Sequence, residues 1–182
     1  MARNTPMSDR HFRWMSRIHD NPLRRRLSDP ARALKAAGVR KGQRVLEVGP
    51  GPGFFTVAAA SMVGEEGRVH AIDIHPLAVE RVSEKVRRAG LGNVSVALAS
   101  ASRIPLPSAG VDLAFLFGVA HAIDLERVLP ELHRVLVPGG TLAVMIPPWS
   151  SRERFLGKGL FADAGKTGGI CRFTRQDAAI HG

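Results

Sequence analysis

From residue 44 onward the chain alternates short apolar runs with stretches of helical period. Apolar runs at 44–48, 68–73, 94–98, 111–117 and 141–146, each followed by turn-forming residues, read as five buried strands. Between the second and third, Pro76 suits a first helical position, Val79, Val82 and Val86 share a face, and Gly90 marks the stop, so a crossover helix is expected. A second helix is expected over about 124–136, with Asp124 as N-cap and Leu125, Val128, Leu129, Leu132, Val135 and Leu136 as its apolar side. Pro130 lacks an amide donor, which predicts a late start or a kink there.

Ahead of residue 44, Pro22 and Pro30 divide one or two helices, and Asp29-Pro30 forms a cap and first turn for a helix that Gly38 closes. After Trp149 the pattern weakens: residues 150–165 read as a helix, and the remainder supplies one or two short edge strands at most. Strands that alternate with helices imply an α/β protein built on a mostly parallel sheet. With 182 residues, 45% of them hydrophobic, one well-filled core is expected, comprising residues 44–182, with 1–43 as an N-terminal helical extension.

Charge adds a second feature. The formal net charge is +10, and residues 1–44 carry twelve Lys/Arg against three Asp/Glu, so the excess lies in the extension. A basic segment attracts phosphate, which admits RNA as a partner. Residues 11–27 also have an amphipathic pattern, with Phe12, Trp14, Met15, Ile18 and Leu23 able to close over a pocket, and this lid reading is preferred. No window of 18 apolar residues occurs, the first 20 residues lack an apolar signal core, and Cys171 is the single cysteine. No membrane partner and a reducing cytoplasm are therefore expected.

The chemistry concentrates at Glu47-Val-Gly49-Pro-Gly51-Pro-Gly53, directly after the first strand. A strand, a glycine loop and a helix in that order bring bare backbone close to a ligand. A dinucleotide fingerprint would place glycine at 54, where this chain has Phe54, and that disfavours an NAD site. Asp73 closes the second strand, 20 residues beyond Gly53, where a carboxylate accepts ribose hydroxyls.

The acid two residues before a G-x-G-x-G resembles the first motif of class I S-adenosylmethionine methyltransferases, the type 11 or UbiE-like group included. The resemblance continues through Asp73, the segment 104–124 and the Pro138-Gly139-Gly140 turn. It implies a doubly wound, Rossmann-like sheet of seven strands and S-adenosylmethionine as cofactor. About 33 residues follow Trp149, enough for a helix and a shortened strand pair at the C-terminal edge. An incomplete edge would invite pairing with another chain, so a monomer or a homodimer is expected.

By the same resemblance Gly49, Gly51 and Gly53 let the methionine part and ribose approach the backbone. Glu47 either orients the loop or reaches the amino group through water. Ile74 faces adenine. Ala99-Ser100-Ala101 stands where the family often has Gly-Asp-Ala, and the Ser100 hydroxyl is available to accept from the adenine amino group but offers less than a carboxylate, so adenine binding is expected to be weaker or differently arranged. Phe117 presents its backbone to the methionine side with its ring in the core, while of Phe54 and Phe55 one faces the ligand and the other the core.

Transfer from a sulfonium needs positioning and desolvation more than a protein nucleophile, and neither a catalytic triad nor a metal-ligating cluster is present in the sequence. His121, just past the fourth strand, is the candidate proton acceptor. Trp149 and Trp14 are candidate walls of the acceptor pocket. The expected function is methyl transfer to a small molecule; RNA methylation or a non-enzymatic binding role are the alternatives.

Overall fold

The computed structural model describes residues 8–10 and 29–177. A seven-stranded sheet organises them in the order β3-β2-β1-β4-β5-β7-β6. The strands are β1 (Arg44–Val48), β2 (Arg68–Asp73), β3 (Val94–Leu98), β4 (Val111–Leu116), β5 (Leu136–Val144), β6 (Phe161–Thr167) and β7 (Ile170–Arg175). The first five pair in parallel, and β7 inserts antiparallel between β5 and β6. The expected doubly wound sheet is thus present, and the reversal between β1 and β4 creates the crevice in which such sheets bind ligands.

Helices cover both faces. On one side, α1 (Pro30–Ala37), α2 (Thr56–Val63) and α3 (Pro76–Arg88) pack over Val45, Val69, Ala71, Leu113 and Phe115. On the other, α4 (Leu125–Val135) lays Leu125, Val128, Leu129, Leu132 and Val135 against Leu46, Ala114, Leu116 and Leu142. The helix starts follow the sequence. Asp29 Oδ1 accepts from the Ala31 amide at 2.9 Å, and Asp124 Oδ1 accepts from Glu126 at 3.2 Å.

Two expectations about elements change. Pro130 neither delays nor ends α4, which runs from Leu125 to Val135. Pro130, Glu126 and Arg127 are exposed, so water can satisfy the carbonyl that lacks an intrahelical donor.

The second change is larger: residues 150–165 do not form a helix. They make two 3-10 turns, Glu153–Phe155 and Gly157–Gly159, and then enter β6. The shortening expected at the C-terminal edge therefore falls on the helix, and the strand pair is complete. Phe155, Phe161, Cys171 and Phe173 supply the reason, because all four are buried in the α4-side core and fix the register of the hairpin. Its outer strand carries Asp163, Lys166 and a register shift, features that discourage further edge pairing. The argument for a partner chain from an incomplete sheet does not survive.

Among the described residues no helix is long and apolar enough to cross a membrane.

Candidate active site

All five parallel strands end on one edge, and the loops leaving them converge there. Gly49 and Gly51 have φ of +69° and +53°, a region open to glycine without strain. Their surroundings differ. A Cβ at Gly49 would lie 2.4 Å from Val119 Cγ1, so the loop after β4 closes directly onto that backbone. At Gly53 a Cβ would stand 3.1 Å from Val82 Cγ2 of α3. At Gly51 it would meet nothing within 4 Å, so the middle glycine faces open space.

Asp73 stands across from this loop at the end of β2. Its Oδ2 accepts from the Gly51 amide at 3.2 Å and its Oδ1 from the His75 amide at 2.9 Å. One carboxylate therefore joins the turn after β1 to the turn after β2. Burial pushes its pKa above the usual carboxylate value, and the amides of His75 and Gly51 oppose that shift. Each carboxylate oxygen has two acceptor positions, so capacity remains for a pair of ligand hydroxyls.

His75 continues the same turn. Its ring is 4% exposed, and Nδ1 accepts from the Leu77 amide at 3.2 Å, capping α3. Its Nε2 lies 3.6 Å from Asp9 Oδ1.

Glu47 sits beneath the glycine loop, 2% exposed. Loss of hydration pushes its pKa up to about 8, the Asp73 charge adds to the shift, and the Thr56 hydroxyl partly opposes it. The hydroxyl approaches closely enough to favour the anion, yet neither Glu47 Oε2 nor Thr56 Oγ1 makes a hydrogen bond of acceptable geometry.

Around this centre, Ile74 is half-buried after Asp73, and Ala101 is buried in the core. Ser100 Oγ stands 2.9 Å from Ser102 Oγ and accepts from the Ser102 amide at 3.2 Å, so its hydroxyl is drawn into its own turn. Phe55 lies 5.0 Å from Phe117, and both pack with Phe115 in the core beneath the edge. Phe54 meets Phe55 edge-on at 4.9 Å and joins none of the core clusters. His121 is exposed in the turn after β4. The large apolar side chains exposed among the described residues are Leu98, Met145 and Trp149, and all three stand at the ends of β3 and β5 on this edge.

Comparison with known proteins decides the family. The methyltransferase domain model matches residues 45–140, more than half of the chain, from β1 into β5. The chain belongs to the methyltransferase domain family. A ubiquinone/menaquinone biosynthesis C-methyltransferase of Enterobacter sp. (strain 638) is 38% identical over 114 residues, which are 62% of this chain and 45% of that protein. The chain thus aligns with about half the length of such relatives.

Among solved structures, a SAM-dependent methyltransferase from Aquifex aeolicus superposes with a TM-score of 0.74 at 29% identity, covering 93% of this chain and 97% of the other. A putative S-adenosyl-L-methionine-dependent methyltransferase from Methanococcus maripaludis shares the fold, with a TM-score of 0.77 at 17% identity and 99% of each chain covered.

In this chain Glu47, Gly49, Gly51, Gly53, Phe54, Asp73 and Ile74 lie at or just beyond the ends of β1 and β2, and Ser100 and Ala101 follow β3. Phe117 lies just past β4 with its ring in the core, 7% exposed. His121 and Trp149 follow β4 and β5 on the same edge, and both are exposed. Trp14 and the residues of the amphipathic segment fall outside the described residues.

Four participants were not anticipated from the sequence: Val119, Thr56, His75 and the Gly51–Asp73 bond. Only His75 left a trace, because it precedes the first-turn Pro76, where a cap belongs.

The Glu47 carboxyl makes the stability of the free protein depend on pH. An unfolded chain loses this proton near 4.5 and the folded one near 8, so the native state holds the extra proton between those values. Stability accordingly falls as pH rises through that interval, by on the order of 2–5 kcal/mol in all, and levels off above it. Glu47→Gln removes the effect. In thermal melts of the free protein at pH 6 and 8.5, the wild type is expected to lose more stability than the variant on going to the higher pH, and equal losses would contradict the assignment.

Proposed function

We propose that this protein binds S-adenosylmethionine between the Gly49–Gly53 loop and Asp73, and transfers its methyl group to a small-molecule acceptor that enters over the ends of β4 and β5. S-adenosylmethionine is the methyl donor of the class I family to which the chain belongs. The observation that carries the assignment is the open face of Gly51 set against a half-buried carboxylate with free acceptor capacity. Two acids flank the loop, which suits a cationic ligand better than a pyrophosphate.

When bound, S-adenosylmethionine supplies a methyl group on a sulfonium, and its displacement disperses positive charge. The protein's part is to bind, orient and exclude water. Asp73 accepts the ribose hydroxyls, Gly51 offers bare main chain, and Ile74 provides an apolar wall for adenine. Ser100, occupied by Ser102, gives adenine less than a carboxylate would, so recognition there leans on shape. Phe117 and Phe55 form a rigid apolar floor that supports the loop. His121 is placed to hold the proton that an acceptor gives up, and Trp149 to flank the acceptor.

Exposed Met145 and Trp149 favour an acceptor with an apolar body, in keeping with the ubiquinone/menaquinone biosynthesis C-methyltransferases to which the chain is similar. The RNA alternative rests on the basic residues of 1–44, half of which lie outside the described residues.

Two measurements test this reading. Asp73→Asn retains the fold and weakens S-adenosylmethionine in a binding titration by roughly 1–3 kcal/mol, the cost of lost charge-assisted hydrogen bonds. Unchanged affinity would remove Asp73 from the site. With methyl-labelled cofactor, label is expected in the solvent-extractable fraction of a metabolite extract; label confined to added bulk tRNA would instead support the RNA reading.

A further inference from the structure

We propose that Glu47 is a neutral acid in the free protein, and that docking of the ammonium group at the cofactor's amino-acid end converts it to a carboxylate with release of one proton to solvent. The inference rests on the cofactor assignment above and concerns what binding does to this buried group.

Glu47 is 2% exposed, and its Oε2 is buried without a hydrogen-bond partner. Among the described residues, the elements packed around it supply little positive charge. β4 contributes Phe115, its register partner, and α2 contributes the neutral Thr56 hydroxyl. From β2 comes Asp73, whose negative charge disfavours a second carboxylate. His75 follows in the next turn, already engaged as the α3 cap. Lys85 of α3 passes the loop at Gly53, its Cδ 3.5 Å from where a Cβ would stand, and it does not enter among the influences on Glu47.

An uncompensated buried anion beside another carboxylate is costly, so the free site keeps the proton. That agrees with a pKa pushed up to about 8. A ligand ammonium supplies the missing positive charge. The exchange then balances: the Glu47 O–H bond breaks, its electron pair stays on the carboxylate, the ammonium keeps its protons, and the released proton passes to buffer. Glu47 thereby discriminates in favour of ligands that carry a cationic amine.

Calorimetric titration in phosphate, HEPES and Tris, buffers that differ in ionisation enthalpy, reads the proton count directly. S-adenosylmethionine and S-adenosylhomocysteine, which share the amino-acid end, are each expected to release most of a proton at pH 7 and a smaller fraction as pH rises through 8. Adenosine, which lacks it, is expected to release none. Affinity for S-adenosylmethionine should tighten about tenfold from pH 6 to pH 7. Glu47→Gln should abolish both the release and the pH dependence; if that variant does not fold, the adenosine comparison and the wild-type pH slope still decide.

Binding of S-adenosylmethionine without proton exchange overturns the inference and leaves the cofactor site standing. Release with S-adenosylmethionine but not S-adenosylhomocysteine overturns the amino-acid end as the partner. Absence of any binding overturns the cofactor assignment and this inference with it.

Discussion

The ligand edge is held together by a carboxylate that spans two crossovers, because Asp73 accepts from Gly51 in the β1 loop and from His75 ahead of α3. Both donors are backbone amides of turns that would otherwise have to be satisfied by water. The same oxygens retain lone pairs toward the crevice. One side chain thus fixes the loop's shape and presents acceptors to whatever lies against it, so loop geometry and ligand affinity cannot be altered independently at this position.

Electrostatics then narrow the ligand. Two acids lie at the strand ends, one half-buried and one wholly buried, and the second is held toward its neutral form by the first and by lost hydration. A crevice of this kind accepts hydroxyls and positive charge more readily than phosphate. Its floor is apolar and tightly packed: Val119 approaches Gly49 so closely that a methyl group there would collide with it, and Val82 lies close enough to Gly53 that it would have to shift slightly to admit one. The glycines at 49 and 53 serve packing, and Gly51 serves the opening. Past β5, in contrast, Met145 and Trp149 are exposed and apolar, which sets a greasier half of the edge beside a polar one.

Much of this architecture was legible in the chain because buried parallel strands are written as short continuous apolar runs, and β1 to β4 begin and end within a residue of those runs. The caps at Asp29 and Asp124 were legible for the same local reason. The C-terminal hairpin was not. Phe161–Thr167 includes glycine, lysine and aspartate and has a weak burial pattern, so its strand character comes from the partner β7 and from the shared burial of Phe161 and Phe173.

At the site, the residues of the glycine motif and Asp73 could be named from spacing, but their mutual bond could not, since it joins positions 22 apart through a turn geometry that no local pattern encodes. Ser100 was read as an available hydroxyl, and its engagement by Ser102 depends on a turn that the letters do not specify.

The account turns on where the nucleoside lies, and a crystal structure with S-adenosylhomocysteine addresses that most directly. The ribose hydroxyls are predicted within hydrogen-bonding distance of both Asp73 oxygens, with the sugar and amino-acid end against the main chain of 49–53. Density for the ligand elsewhere on the edge, or a sugar out of reach of Asp73, would contradict it.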